Sequence, residues 1–183
     1  MQEVTAPGIL VSMPNLNDPY FQKTVILLCE YTAETAFGVV VNRPSNIHVR
    51  DLLEGDELLL DQSSKPFLVG GPVQPDFLWA VHTPDFAGES TTEVDKAVFM
   101  SSVQEILLAL SEQDGPSHYH MGFGYAGWGP GQLDKELREG SWWVAPMDKA
   151  VILDAPFGER WQQVWDSLGI DPIAANFGTT GEA

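Results

Sequence analysis

Residues Gly122 to Pro146 read GFGYAGWGPGQLDKELREGSWWVAP and hold the most informative pattern of the chain. Glycine recurs at five positions from Gly122 to Gly131. Because glycine adopts positive φ without steric cost, this density predicts a sharply turning loop, which lets a ligand or another chain approach the backbone closely. The Trp142–Val144 segment predicts a strand that ends at Pro146.

A short surface helix is predicted directly after the glycines. Gly129 is suited to the cap, Pro130 to the first helical position and Gly140 to the end of the helix. Leu133 and Leu137 lie four residues apart and form a narrow apolar stripe. The charged residues of the DKELRE run are expected to face solvent, so the helix lies on the surface of something else.

Runs of β-branched and aromatic residues predict strands along the rest of the chain. The predicted strands cover residues 8–12, 24–31, 37–42, 67–69, 77–83, 97–100, 118–123, 142–144 and 150–153. A single helical turn is predicted at 49–53 and an exposed loop at 84–96. A helix is expected from Ser102 to about Glu112, opened by a capping box with Glu105. A last helix is expected to follow Pro156, with an apolar stripe of Trp161, Val164, Trp165 and Leu168.

The charge of the chain restricts its partners. Lysine and arginine number 9 against 26 aspartates and glutamates, which gives a net charge of −17. The nine cations are scattered along the sequence, and no basic run or basic amphipathic helix occurs. Such a chain repels a phosphate backbone, so DNA is not expected as a partner, and neither is a membrane surface.

Length and composition predict a single domain over residues 1–183, with a loose tail from about residue 177. The first residues lack the pattern of a secretion signal, and the apolar run Val25–Cys29 is too short to cross a bilayer. A cytoplasmic location is therefore expected. Cys29 is the one cysteine, and we expect a buried small hydrophobic residue and not a reactive thiol.

Several short segments form a recognisable set: GYAGWGPGQL at 124–133 with its acidic helix and tryptophan-rich strand, the Met-Pro step at 13–14, Asn42-Arg43-Pro44, Gly70-Gly71-Pro72, and Arg160-Trp161 with Leu168 to Asp171. Together these segments resemble the YqgE/AlgH family of bacterial proteins. The resemblance spans almost the full chain. It implies an α+β domain, with a forked, mostly antiparallel sheet that contains a small barrel and is flanked by helices. It implies no particular activity, although one branch of the family carries the label of transcriptional regulator.

Motifs for cofactor or metal chemistry are weak. Gly122, Gly124 and Gly127 spell G-x-G-x-x-G after a predicted strand, as in dinucleotide-binding folds. Pro130 removes an N–H donor there, and no βαβ series supports the motif, so no cofactor is expected. His118 and His120 are predicted to point to one face of a strand, but no ligand at a familiar spacing accompanies them. No metal site and no catalytic residue are predicted, and an enzyme of unknown class stays open.

The favoured interpretation is a binding or interaction module with a protein or small-molecule partner. Its recognition surface is predicted from the loops Asn42–Pro44, Gly70–Pro72 and Gly124–Gly131. The predicted binding residues are Asn42, Arg43, Pro44, Gly70, Gly71, Pro72 and Trp128. Arg43 suits recognition of a carboxylate, and the alternative is an internal salt bridge. Trp128 suits either a docking contact or core packing, and Trp142 and Trp143 favour the core. The alternative function, a transcriptional regulator, is disfavoured by the net charge.

Overall fold

The computed structural model describes residues 2–52 and 64–178, with the side chains of all of these except 177 and 178. The described residues form ten strands: β1 (Gly8–Ser12), β2 (Val25–Tyr31), β3 (Ala36–Val40), β4 (Pro44–His48), β5 (Pro66–Val69), β6 (Val73–His82), β7 (Thr92–Asp95), β8 (Val98–Ser101), β9 (Tyr119–Trp128) and β10 (Trp142–Ala145). The α-helices are α1 (Val103–Ser111), α2 (Gln132–Arg138), α3 (Arg160–Leu168) and α4 (Pro172–Gly178). The predicted turn at 49–53 is a 3-10 turn at Val49–Leu52, and its last predicted residue lies outside the described residues, as does the end of the predicted tail.

The strands form one curled sheet that forks at β9. Its main path runs β10-β1-β2-β3-β9-β6-β8-β7, and β4 and β5 branch from it. The first half of β9 pairs in parallel with β5, where Leu68 lies opposite Gly122, and its second half pairs antiparallel with β3, where Phe37 lies opposite Gly127. The other described pairings are antiparallel. The predicted α+β class with a forked, mostly antiparallel sheet is confirmed, and the curled sheet forms a half-barrel.

The inside of the half-barrel is the largest apolar core. Side chains that alternate along the strands point inward, among them Leu27 on β2, Val39 on β3 and Val81 on β6. Helix α3 closes this core with Val164 and Trp165, which are 1% and 0% exposed. The helix stripe predicted from the sequence therefore packs as expected. No helix among the described residues is long and apolar enough to cross a membrane.

The prediction of a loop that begins at Gly122 is wrong, because β9 continues as a strand through Gly122, Gly124 and Gly127 to Trp128. Gly122 and Gly124 allow close packing of the backbone. A Cβ atom at Gly122 would lie 2.2 Å from the ring of Trp79 on β6. Only Gly129 to Gly131 remain as a connection to α2.

The predicted caps of α2 are also shifted. The N-cap is Gly131, in the left-handed region at φ 69°, and not Gly129. Pro130 therefore precedes the helix and does not occupy its first turn. Gly140, at φ 77°, follows the helix as predicted.

Three further differences separate the structure from the prediction. Residues Ala150–Asp154 form a helical turn and not a strand, since the side chain of Asp148 accepts a hydrogen bond from the Ala150 N–H at 3.0 Å. The predicted loop 84–96 contains β7, which pairs with β8. Strand β4 was not predicted, because Pro44 signals the end of a strand; a proline is tolerated at the first residue of an edge strand.

The capping box before α1 is half formed. Ser102 Oγ accepts the Glu105 N–H at 3.3 Å, as predicted. The Glu105 carboxylate does not return to Ser102. It accepts the N–H groups of Glu89 and Ser90 instead, at 2.7 and 3.1 Å, and holds the loop that leads to β7.

Candidate functional site

The three segments predicted as a recognition surface meet at the fork of the sheet. The Gly70 N–H donates to the Phe123 carbonyl at 2.8 Å, and the Gly70 carbonyl accepts the Val40 N–H at 2.8 Å. The Val69 N–H donates to the Arg43 carbonyl at 2.8 Å. The backbone at Arg43, Val69–Gly70 and Phe123 is therefore adjacent, at or next to the three predicted segments, while their role in recognition stays a prediction.

Gly70 and Gly71 allow this crossing because they have no side chain. A Cβ atom at Gly70 would lie 2.4 Å from the Gly124 carbonyl oxygen, and one at Gly71 would lie 2.2 Å from the carbonyl of Tyr125. Both glycines are buried, whereas Pro72 directly after them is exposed. The glycines therefore fix the backbone at the fork, and Pro72 is the residue of this segment that a partner reaches.

A groove of about 470 Å³ opens beside the fork, and we call it the fork groove. Its lining comes from the segment before β2, the start of β6, the end of β9 and helix α2. The side chains that matter most are those of Asp18, Pro72, Trp128, Gln132, Glu136, Glu139 and Trp142. Pro72 and Trp128 of the predicted site line this groove, while Asn42 and Arg43 are not part of its lining.

Glu136 anchors the floor of the fork groove. One of its carboxylate oxygens, Oε2, accepts the indole N–H groups of both Trp128 and Trp142, each at 2.8 Å. The other, Oε1, accepts the Gln132 amide at 3.0 Å. The two indoles pack edge to face, with centroids 6.2 Å apart. Trp128 is 5% exposed, so it lies in the core and presents only a small part of its ring to the groove.

Asn42 and Arg43 hold the segment that forms the facing wall. Arg43 Nη1 donates to the Tyr20 carbonyl, and Nη2 donates to the Gln22 carbonyl at 3.3 Å. Asn42 accepts the Val25 N–H at 2.9 Å and donates to the Lys23 carbonyl at 3.0 Å. Partial burial lowers the pKa of Arg43, and the nearby carboxylate of Asp18 opposes that shift.

Arg43 forms no ion pair within 4 Å among the described side chains, so the internal salt bridge weighed in the sequence analysis is not what holds it. Its guanidinium is bonded to backbone carbonyls. Pro44 is exposed at the start of β4, opposite Leu68 of β5.

The fork groove is acidic. Asp18, Glu136 and Glu139 line it, and no lysine or arginine occurs among its described lining residues. The Asp18 carboxylate is held in place because it accepts the Tyr20 and Phe21 N–H groups at 2.8 and 3.1 Å. The groove therefore combines fixed negative charge with the apolar surface of two indoles, which is a combination that suits a cation on an apolar stem.

The comparisons with known proteins agree with this fold. The DUF179, AlgH-like family profile matches residues 9–173. The chain belongs to the AlgH-like family. A UPF0301 protein of Methylococcus capsulatus is 38% identical over 172 residues, which cover 92% of each chain. The solution structure of the AlgH protein from Pseudomonas aeruginosa superposes with a TM-score of 0.74 at 30% identity and covers 100% of this chain and 98% of that one. A crystal structure of a protein from Corynebacterium diphtheriae gives a TM-score of 0.76 at 25% identity, over 96% and 93% of the two chains.

A serine lies at hydrogen-bond distance from His82 in this AlgH-like protein, which the sequence did not reveal. The His82 Nε2 lies 2.7 Å from Ser101 Oγ, and its Nδ1 lies 2.8 Å from the Thr83 carbonyl. Because a carbonyl only accepts, Nδ1 carries the hydrogen, and Ser101 donates to Nε2. Ser101 in turn lies 2.7 Å from Thr91 Oγ1.

This pair resembles a nucleophile with its base, but its groups are already engaged. Ser101 uses its hydrogen on His82 and accepts from Thr91, and both residues are buried, at 4% and 0% exposed. Burial lowers the pKa of His82, so the imidazole stays neutral at pH 7. The pair therefore ties β6 and β8 to the loop before β7, which is a structural role.

The remaining candidates of the sequence analysis are separated by the fold. His118 is exposed before β9, whereas His120 is largely buried and lies 3.0 Å from the Leu153 carbonyl. Within residues 2–52 and 64–178, no three His, Cys, Asp or Glu side chains are placed to hold a metal ion. Burial, with a smaller contribution from Glu30, raises the pKa of Cys29 to about 12, so its thiol is protonated at pH 7.

Proposed function

We propose that this AlgH-like protein is a binding module and that the fork groove takes a primary amine or guanidinium group carried on an apolar stem, from a small molecule or from a basic side chain of a protein. The observation that carries the proposal is the placement of Asp18, Glu136 and Glu139 around the indoles of Trp128 and Trp142. A cytoplasmic location, expected from the sequence, stays a prediction.

The charges of the groove support this choice of ligand. The Asp18 and Glu136 carboxylates are already oriented by hydrogen bonds from the protein, so a cation binds without the cost of ordering them. Glu139 is exposed and pairs with Lys135 at 3.7 Å, a contact that water and salt weaken. A cationic ligand is able to replace that lysine. The net charge of −17 attracts such a ligand from a distance.

The two indoles supply the apolar part of the interaction. Their N–H groups are satisfied by Glu136, so the rings are held in place, and each presents only a small part of its surface to the groove, since Trp128 is 5% and Trp142 is 3% exposed. Tryptophan contributes strongly to interfaces because it buries a large area at a low cost in conformational entropy. An alkyl stem has room to lie over Gly127, between Pro72 and Trp128, because glycine has no side chain.

The experiment is an NMR titration of the protein with hexylamine, hexanol and hexanoate at low salt. Hexylamine is expected to shift the indole N–H signals of Trp128 and Trp142, hexanol less strongly, and hexanoate not at all. The Asp18→Asn, Glu139→Gln double variant is expected to lose at least tenfold in hexylamine affinity, while the Glu112→Gln variant, on the exposed end of α1, keeps it. Equal binding of hexanoate, or an unchanged affinity of the double variant, contradicts the proposal.

We do not propose that this protein contacts DNA directly, although one branch of the family carries the label of transcriptional regulator. A net charge of −17 opposes the counterion release that drives binding to duplex DNA. In a gel-shift titration at 150 mM salt, sequence-dependent binding below micromolar concentration would contradict this expectation.

A further inference from the structure

A second cleft, of about 470 Å³, opens at the mouth of the half-barrel, away from the fork groove. We call it the mouth cleft. Its apolar floor and wall are formed by the side chains of Cys29, Phe37, Phe77, Trp79, Val94 and Met100. All of these except Phe77 belong to the core inside the half-barrel or pack against it. They come from β2, β3, β6, β7 and β8, so the cleft spans the width of the half-barrel.

Aromatic rings form one wall of the mouth cleft. Phe37 and Phe77 pack edge to face with centroids 6.2 Å apart, and both contact Tyr125, at 5.0 and 5.6 Å. Phe77 is nonetheless 38% exposed. A ring that is supported by two neighbours and still open to solvent is a rigid apolar contact surface for a partner.

Strand β7 borders the cleft and has a free edge. It is the last strand of the sheet path and pairs with β8 on one side, and no other described strand pairs with it. Its unpaired N–H and C=O groups are a template for an added strand. The opposite end of the path differs, because the Val144 N–H on β10 already donates to the side chain of Gln2 at 2.9 Å. Strand β7 is thus the more accessible edge.

The charge at the cleft restricts the added strand. Glu30 and Glu93 line the cleft and are exposed, and its described lining contains no lysine, arginine or histidine. An acidic partner is repelled there. In a peptide segment whose apolar residues are flanked by basic ones, the apolar residues pack on the floor of the cleft and the basic residues pair with Glu30 and Glu93.

We propose that the mouth cleft binds an extended peptide segment, with apolar residues flanked by lysine or arginine, which adds as a strand to the free edge of β7. Main-chain hydrogen bonds to Thr92–Asp95 hold it, and an apolar side chain enters between Phe77 and Met100. This site is separate from the fork groove and does not rest on the function proposed for it.

The test uses a synthetic peptide with blocked ends and the sequence Lys-Val-Phe-Val-Lys, followed by NMR of the full chain. Binding is expected to shift the backbone amides of Thr92–Asp95 and the indole signal of Trp79. A peptide with glutamate in place of both lysines is expected to bind at least tenfold more weakly. Peptides N-methylated at alternate positions are expected to lose at least tenfold in one of the two patterns, because that pattern removes the hydrogens that face β7.

Protein variants give the second part of the test. Glu30→Lys with Glu93→Lys is expected to reverse the preference between the lysine and glutamate peptides, and Phe77→Ala to weaken both. Asp18→Asn, in the fork groove, is expected to leave peptide affinity unchanged, which separates this proposal from the other. Equal affinity for the N-methylated peptides, or for the two charge types, overturns it. Concentration-dependent dimerisation through β7 in light scattering, without peptide, also overturns it.

Discussion

The guanidinium Nη2 of Arg160 lies 3.0 Å from the imidazole Nε2 of His120 inside the protein. Arg160 is 1% exposed, and its other N–H groups donate to the carbonyls of Val41, Ile152 and Ala155 at 2.8, 2.6 and 2.8 Å. The arginine thus joins the residue that follows β3, the helical turn 150–154 and the start of α3. Burial, reinforced by the positive charge of Arg160, lowers the pKa of His120 to about 3.

The first prediction is that His120 makes stability depend on pH. The pKa of His120 is about 3 in the folded protein against 6.5 for an unperturbed histidine, so the unfolded state takes up the proton first. Stability is therefore full above about pH 6.5 and falls as the pH decreases from there toward 3, with a limiting slope of about 1.4 kcal/mol per pH unit. Urea unfolding at pH 7, 6 and 5 measures it.

The variant His120→Gln isolates this contribution, since glutamine does not titrate. The difference in unfolding free energy between the protein and this variant is expected to shrink as the pH falls from 7 to 5. The exposed His118→Gln variant is the matched control and is expected to keep the pH dependence of the parent. A parallel pH profile for the protein and His120→Gln would show that the imidazole does not carry the effect.

The second prediction concerns Glu136. In Glu136→Ala the indole N–H groups of Trp128 and Trp142 lose their acceptor at once, and a buried donor without a partner costs about 1 to 3 kcal/mol. A total destabilisation of roughly 2 to 4 kcal/mol is expected in chemical denaturation. Glu139→Ala, which removes only the exposed pair with Lys135, is expected to cost less than about 0.5 kcal/mol. Similar values for the two variants would contradict the anchoring role of Glu136.

Part of this arrangement follows from the sequence and part does not. The strands β1 to β3, the Ser102 cap and the stripe of α3 are local patterns, and each was predicted within a residue or two. The inward position of Glu136 was missed, because a charged residue on a short acidic helix is normally assigned to solvent. The available signal was the pair of tryptophans on either side of it, since a buried indole N–H needs an acceptor.

The strand through Gly122, Gly124 and Gly127 was missed for a different reason. Glycine density predicts a turn from local conformational freedom, but here Gly122 makes room for Trp79 and Gly124 for the crossing of Gly70 and Gly71. That requirement comes from residues far away in the sequence. Gly127 has only the ring of Tyr125 near its Cβ position, at 3.3 Å. The three predicted segments were singled out by resemblance to a family and not by periodicity, and their approach at the fork is a feature of the structure.

The third prediction tests this close packing. A Cβ atom in Gly70→Ala would lie 2.4 Å from the Gly124 carbonyl oxygen and 2.8 Å from Trp79, so the backbones at the fork must separate. We expect a loss of about 3 kcal/mol or more, or failure to fold. Gly129→Ala is the control, because nothing lies within 4 Å of its Cβ position, and it is expected to change stability by less than about 1 kcal/mol. Equal effects would mean that the crossing tolerates a side chain.

The last prediction separates two roles of Arg43. Its guanidinium donates to the carbonyls of Tyr20 and Gln22, and so holds the wall of the fork groove in place. Arg43→Ala is expected to destabilise the protein by about 1 to 2 kcal/mol, since two hydrogen bonds are lost at a partly buried site. The amide signals of Tyr20 to Gln22 are expected to shift in the same variant. Arg50→Ala, at an exposed position, is the matched control and is expected to change neither.

Arg43→Lys sharpens the distinction, because an ammonium group keeps the charge but does not span both carbonyls as the planar guanidinium does. If Arg43 acts by positioning the wall, Arg43→Lys and Arg43→Ala lose stability and hexylamine affinity together, and the indole signals of the fork groove move with them. If Arg43 instead contacts a partner directly, as the sequence analysis proposed, both variants keep the stability of the parent and lose cellular partners in affinity capture. Retained partners with reduced stability would therefore exclude direct recognition by Arg43 and leave its contacts with Tyr20 and Gln22 as its role.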